Sequence, residues 1–420
     1  MRIAYITADP GVPIFGQKGC SIHVQEVLRA LGKHNAQIDL FATNCRQPQE
    51  AAPCQPLLSP PPHVSGDEVF EVFGSGRVHL HPLPPPPEGD LAFREQQCLA
   101  ANDELRAALE CQGPFTLVYE RYSLWSFAGM EYARATATPG LCEVNAPLIE
   151  EQAEHRGLVD RANAQRVAER VFSAATALLA VSDEVAEYLE RFPAARGKVQ
   201  VVPNGVNPDR FPADLTPSVP SPAGTFTVGF VGTLKPWHGL PILLEAFAQL
   251  HGHDPRTRLL LVGAGPEREK LAAEVFSRGL APAVHFTGAV APAEVPNLLA
   301  SMDVAVAPYP ELLNFYFSPL KVYEYMAAGL PVVASRVGQL QKLIEPGVNG
   351  LLVPPGDTAA LAAALGRLQS DPQLRLRLGQ AARAAVIRQH TWDAVAEQIL
   401  RLAAPSPGGR AESGERRAER

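Results

Sequence analysis

The sequence lacks a paired CxxC motif, a long apolar run and any excess of positive charge. Its six cysteines, at 20, 45, 54, 98, 111 and 142, are scattered through the first third of 420 residues. Such spacing argues against a zinc site or a disulfide frame and predicts reduced thiols. No stretch approaches the roughly 18 apolar residues that cross a bilayer. The opening MRIAYITAD enters a strand directly, without the apolar core of a signal peptide. A cytoplasmic, soluble protein is expected, with at most peripheral attachment at the inner face of the membrane. Lysine and arginine number 37 against 44 aspartate and glutamate, a formal charge of −7. With no basic stripe to neutralise phosphates, nucleic acid is excluded as a main partner.

What the chain does have is length and a repeating grammar. At 420 residues it exceeds a typical single core and predicts two domains. Strands are predicted over 2–7, 38–42, 117–120, 141–144, 178–181 and 199–202, with helices over 21–33 and 184–191. The pattern stops in a segment rich in proline, glycine and aspartate at 203–224 and then restarts. Strands over 226–231, 258–262, 284–287, 304–307 and 332–334 alternate with helices over 241–250, 268–278, 294–301 and 319–328. A last helix is predicted over 392–402. Alternation of this kind makes an α/β protein of two doubly wound Rossmann-like domains facing a central cleft, where strand C-termini gather ligands. The predicted divisions are 1–205, a linker at 206–224, a second domain at 225–385, a terminal helix within 386–403 and a disordered tail at 404–420. Proline, 40 residues in all, clusters at 53–62 and 82–87, which read as rigid surface loops.

The most informative stretch is SPLKVYEYMAAGLPVVAS, residues 318–335. Ser318 reads as an N-cap and Pro319 as the first helical residue. Lys321 falls in the first turn, where the helix dipole disfavours a cation unless an anion occupies the helix N-terminus. Glu324 lies three residues on, on the same face, and can accept hydrogen bonds from vicinal hydroxyls such as those of a ribose. The backbone at Ser318, Pro319 and Leu320, with N–H groups of the first turn, an ammonium and a carboxylate in a row, forms a footprint for a nucleoside diphosphate. Three glycine-bearing strand ends would open on the same edge. Gly232-Thr233-Leu234-Lys235-Pro236-Trp237-His238-Gly239 allows close backbone approach, with Lys235 or His238 facing a diphosphate. GAGPE follows at 263–267, and backbone near Val290 suits a base edge. In the first half, the Gly16–Gly19 loop opens a helix carrying His23, a candidate on the acceptor side. Each loop taken alone is also compatible with an ordinary turn, and His23 with an ordinary helix-face histidine.

The ordered set resembles the family 4 retaining glycosyltransferases (group 1), which have the GT-B fold. It comprises PNGVNPDRF at 203–211, GTLKPWHGL at 232–240, GAGPE at 263–267, FTGAV at 286–290, MDVAVAPY at 302–309 and the 318–335 stretch. The resemblance implies transfer of a sugar from a nucleotide-diphosphate donor with retained anomeric configuration. It implies no cofactor and no metal, with cations and a helix N-terminus steadying the leaving diphosphate. Glu324 matches the second glutamate of the family's paired motif, which holds the donor ribose, and the last helix is expected to cross back onto the first domain.

Three departures from the pattern stand out. The first glutamate of the pair, eight residues before Glu324, falls at Tyr316, and Thr233 and His238 stand where arginine and lysine are usual. The histidine usual after a mid-domain strand has no match in 141–147, where Asn145 is the candidate. FYFSPLK at 315–321 also resembles a recognised branch of the family. The expected catalytic set is thus Lys235, Lys321, His238 and Asn145. The expected donor set is Gly16, Gly19, Gly232, Thr233, Val290, Tyr316, Ser318, Pro319, Leu320 and Glu324. The acceptor, whether small molecule, oligosaccharide or lipid-linked, stays open. A donor-hydrolysing epimerase of the same fold and a non-catalytic nucleotide-sugar binder are the alternatives.

Overall fold

A computed structural model of the chain describes residues 1–45, 68–72, 76–312 and 315–404. The expected loop at 53–62, and the expected tail beyond residue 404, lie outside them. Eight strands build the first sheet: β1 (Arg2–Thr7), β2 (Gln37–Ala42), β3 (Glu68–Val72), β4 (Gly76–Pro82), β5 (Leu117–Arg121), β6 (Gly140–Val144), β7 (Ala177–Ala180) and β8 (Val199–Val201). Six build the second: β9 (Phe226–Val231), β10 (Thr257–Val262), β11 (Val284–Gly288), β12 (Val304–Ala307), β13 (Val332–Ser335) and β14 (Leu351–Val353). Their orders are β3-β4-β2-β1-β5-β6-β7-β8 and β11-β10-β9-β12-β13-β14. The β3–β4 pair is antiparallel, and the other pairs are parallel.

Helices cover both faces of each sheet, so strand residues are buried whichever way they point. In β1, Ile3 and Tyr5 enter one core while Ala4 and Ile6 enter the other. In β10, Leu259 and Leu261 face one core and Leu260 and Val262 face the other. Burial on two faces is why these strands read as continuous apolar runs. Each sheet winds outward from a central strand and then reverses, between β1 and β5 in the first and between β9 and β12 in the second. Such switch points place ligand crevices at the strand C-termini.

The chain crosses between the sheets twice, and the crossings are bonded side by side. Val206 N–H donates to His390 O at 2.9 Å, and Trp392 N–H donates to Val206 O at 3.1 Å. The helix Trp392–Ala403, capped by the Thr391 hydroxyl, then packs Trp392, Val395, Ala396 and Ile399 into the core of the first sheet. There it meets Val24, Val27, Leu28 and Leu31 of the helix Gly19–Gly32. Away from the crossings the domains also touch directly. Tyr316 Oη donates to Glu151 at 3.0 Å, Lys342 pairs with Asp183 at 2.7 Å, and the Gln339 amide donates to Val181 O. Five of the cysteines lie among the described residues, all as free thiols. No helix among the described residues is long and apolar enough to cross a membrane.

Candidate functional site

The two switch points open into one cleft of about 830 Å³. Its second-domain wall comes from the ends of β9, β10 and β12 and from the start of the helix Leu320–Ala327. Its first-domain wall is the loop Pro13–Gly19. The helix begins one residue later than the sequence suggests. Pro319 is its N-cap, and Ser318 does not cap it. The Ser318 hydroxyl instead accepts from Asn204 N–H at 3.2 Å, while its carbonyl accepts from the Asn204 amide at 3.3 Å. No side chain caps this helix and no acidic residue sits in its first turn. Its leading N–H groups therefore meet the cleft unneutralised.

Lys321 adds a full charge at the same place. Among the described residues its Nζ is shut off from solvent without a hydrogen-bond partner. It lies 4.3 Å from the Phe230 ring centre and 5.6 Å from that of Tyr309. Burial pulls its pKa from 10.5 to about 7, because a dry cleft disfavours the ammonium. Gly232 makes room for it: φ is +145°, and a Cβ there would sit 3.0 Å from Nζ. Glu324 faces the same space, and its Oε1 accepts from Arg210 Nη1 at 2.8 Å. Burial raises the Glu324 pKa, and the Arg210 guanidinium opposes that rise.

The remaining candidates divide by position. Gly16, Gly19, Thr233, Val290 and His238 line the cleft with Gly232, Ser318, Pro319 and Leu320. His238 stands differently from the expected cation. Its Nδ1 lies 2.6 Å from Thr233 O, so it donates there, and burial together with Lys321 lowers its pKa to about 3. A neutral ring with Nε2 left as acceptor is what the site holds at pH 7. Lys235 is half-buried, with Nζ 5.3 Å from the Trp237 ring centre, and is not in the cleft wall. Tyr316 turns away from the cleft toward Glu151 of the first domain.

His23 and Asn145 do not reach the cleft wall either. His23 is 2% exposed, stacked on Trp392 at 5.0 Å, and pairs through Nε2 with Glu143 at 2.8 Å. Arg121 lies 2.9 Å from its Nδ1. Arginine can only donate, so Nδ1 accepts, and Nε2 faces the Glu143 carboxylate. His23 thus belongs to a buried polar cluster with Glu143 and Arg121. Burial works against the Glu143 carboxylate, yet His23, Arg121 and Asn145 hold its pKa at about 2. Among the described residues no group of three or more histidine, cysteine, aspartate or glutamate side chains is placed to hold a metal ion.

Residues 225–371 match the family described as glycosyl transferases group 1, and residues 18–210 match Glycosyltransferase Family 4. The chain belongs to the family 4, group 1 glycosyltransferases. Its two Rossmann-like domains around a cleft are the GT-B architecture of that family. The chain is similar to a D-inositol 3-phosphate glycosyltransferase of Acidothermus cellulolyticus, 29% identical over 95% of this chain and 88% of that protein. With the protein of the same name from Corynebacterium jeikeium it is 32% identical over 52% of this chain. That match spans only about half of the Corynebacterium protein, 54%. In fold it is similar to HepE of Anabaena, solved with UDP and also with UDP-glucose. The complex with UDP gives a TM-score of 0.66 at 19% identity, covering 96% of this chain and 99% of that one.

One cleft residue escaped the reading of the sequence as a functional group. Arg210 lies in the segment read as a linker, although PNGVNPDRF, which contains it, is one of the family motifs. The motif was the available signal, and its proline and glycine content masked it.

Proposed function

We propose that the chain transfers a glycosyl group from a nucleotide-diphosphate sugar to an acceptor hydroxyl with retained anomeric configuration. The observation that carries this reading is the uncompensated Lys321 ammonium beside an uncapped helix N-terminus, with Glu324 on the same helix. A partnerless buried cation is costly unless an anion joins it. A diphosphate fits between them, with the attached ribose directed at Glu324 and the base at backbone near Val290.

In the reaction the bond from the anomeric carbon to the donor's phosphate oxygen breaks, and the acceptor oxygen bonds to that carbon on the same face. The departing phosphate oxygen takes the acceptor's proton, so the protein supplies no nucleophile. Lys321 and the N–H groups at Leu320 and beyond take up the charge that grows on the leaving group. The neutral His238, with Nδ1–H fixed on Thr233, offers Nε2 as an acceptor for a sugar hydroxyl. Lys321 and the helix N-terminus serve here in place of a metal, so we expect activity to persist in chelator.

The Anabaena HepE complexes make a UDP-sugar the first donor to test. The relatives named D-inositol 3-phosphate glycosyltransferases make a phosphorylated polyol the first acceptor. A second cavity of about 290 Å³, lined by Asp9, Arg94, Glu151 and Arg156 among others, offers that acceptor a seat in the first domain. The test is a thermal-shift screen against UDP, GDP, ADP and their sugar conjugates, followed by NMR of the product's anomeric proton. Stabilisation by one nucleotide and a product with the donor's configuration support the proposal. No shift with any nucleotide overturns it, and an inverted product overturns the stereochemistry.

A further inference from the structure

We infer that Arg210 is a positioning residue for nucleoside recognition, spanning the ribose carboxylate Glu324 and the loop at Pro292 with one guanidinium. The inference rests on the nucleotide-sugar reading above and adds to it a group that neither the helix motif nor the glycine loops contain. Arg210 Nη1 donates to Glu324 Oε1 at 2.8 Å, and its Nη2 donates to Pro292 O at 2.7 Å. The two acceptors belong to different elements, the helix Leu320–Ala327 and the loop after β11. Arg210, Pro292, Val290 and Glu324 all line the cleft. One planar fork therefore sets the separation between the acid that would meet the ribose and the backbone that would meet the base.

The guanidinium is itself held. Its side chain is 12% exposed and its carbon lies 5.5 Å from the Phe211 ring centre, while Phe211 is fully buried. The short 3₁₀ turn Pro208–Arg210 is capped by Asn207, whose Oδ1 accepts from Asp209 N–H at 3.1 Å. The turn also reaches the first domain, where the Asn207 amide lies 3.5 Å from Glu26 Oε1 and Asp209 lies 3.9 Å from Lys33. Arg210 thus carries the placement of the interdomain crossing into the nucleoside pocket. With Oε1 occupied, the other Glu324 oxygen is the acceptor for a ribose hydroxyl. Loss of Arg210 frees the carboxylate to rotate and uncouples the loop from it.

The experiment compares full-length wild type with Arg210→Met and Arg210→Lys by calorimetry. The ligands are the nucleoside diphosphate that stabilises the wild type, its 2′,3′-dideoxy counterpart and a nucleoside diphosphate with a different base. Wild type is expected to prefer the ribose form by about tenfold or more, the size of one charge-assisted hydrogen bond. Arg210→Met is expected to bind both forms equally and weakly. Arg210→Lys can reach Glu324 but cannot span both acceptors. It should recover the ribose preference while preference for one base over another stays reduced. This second variant decides the matter if Arg210→Met does not fold. Arg210→Met with the full ribose preference, or Arg210→Lys with the full preference for one base over another, overturns the inference alone. A wild type that binds nucleotide without ribose preference overturns the role of Glu324 and the inference with it. A wild type that binds no nucleotide overturns the underlying function.

Discussion

A single ammonium among aromatic rings is poised to change charge near neutrality, and Lys321 is that group. Its pKa of about 7 lies below the ordinary lysine value of 10.5. Between those two pH values the unfolded chain binds one more proton than the folded one, so this residue's contribution to stability rises with pH across the window and is lowest below 7. Ligand binding has the opposite sign. An anion favours the ammonium, so nucleotide binding takes up a proton and weakens as pH climbs from 7. We expect log Kd to rise by up to about one unit per pH unit in calorimetric titrations there. Lys321→Met should flatten that slope and lower turnover. Glu324→Gln should weaken nucleotide binding by about 10- to 100-fold, the loss of a hydrogen bond to a charged group. At this scale the sequence was readable where partners are close in the chain. Lys321 and Glu324 share a helix face, and their spacing alone places both at the cleft. Arg210 is 114 residues from Glu324, so no local pattern joins them. Tyr316 and His23 misled for the same reason: their partners, Glu151 and Glu143, are remote, and those contacts draw both away from the cleft.

Among the elements, the terminal helix adds Trp392, Val395, Ala396 and Ile399 to a core that otherwise belongs to the first domain. Trp392 is 2% exposed and stacks on His23. Trp392→Ala removes a fully buried aromatic and should cost about 3–5 kcal/mol of stability in urea unfolding. Which elements were legible follows from how they are buried. The bounds of β9 and β12 fall where the apolar runs 226–231 and 304–307 place them, because both strands are buried throughout. Strand β4 carries Arg77, His79 and His81 and ends on Pro82, so it offers neither an apolar run nor a clear stop. The helices Leu91–Ala100 and Asn102–Gln112 bury few residues and show little periodic signal. Strand β14 has three residues, too few for any pattern.

For the molecule as a whole, catalysis of the proposed kind needs the two domains held together while water is kept out. Tyr316–Glu151, Gln339–Val181 and Lys342–Asp183 are among the contacts that hold them away from the crossings. Tyr316→Phe combined with Gln339→Ala removes two hydrogen bonds, each worth about 1 kcal/mol. Small-angle scattering should then show a larger radius of gyration, and turnover should fall several-fold with nucleotide affinity little changed. Unaltered scattering and turnover would assign these contacts no part in closure. The two-domain plan was visible because the strand–helix grammar stops and restarts. The closeness of the two crossings was not, since Val206 and Trp392 are joined only through the backbone bonds of the folded chain.

That return of the chain also orders events on the ribosome. Residues 1–201 contain all eight strands of the first sheet, yet the helix Trp392–Ala403 that completes its core is translated after the whole second domain. The part of the first sheet's core that Trp392, Val395, Ala396 and Ile399 cover must wait through the synthesis of everything between. The half of the enzyme made first is finished last, and a nascent chain stalled anywhere before residue 392 leaves a sticky, incomplete domain for chaperones to shield.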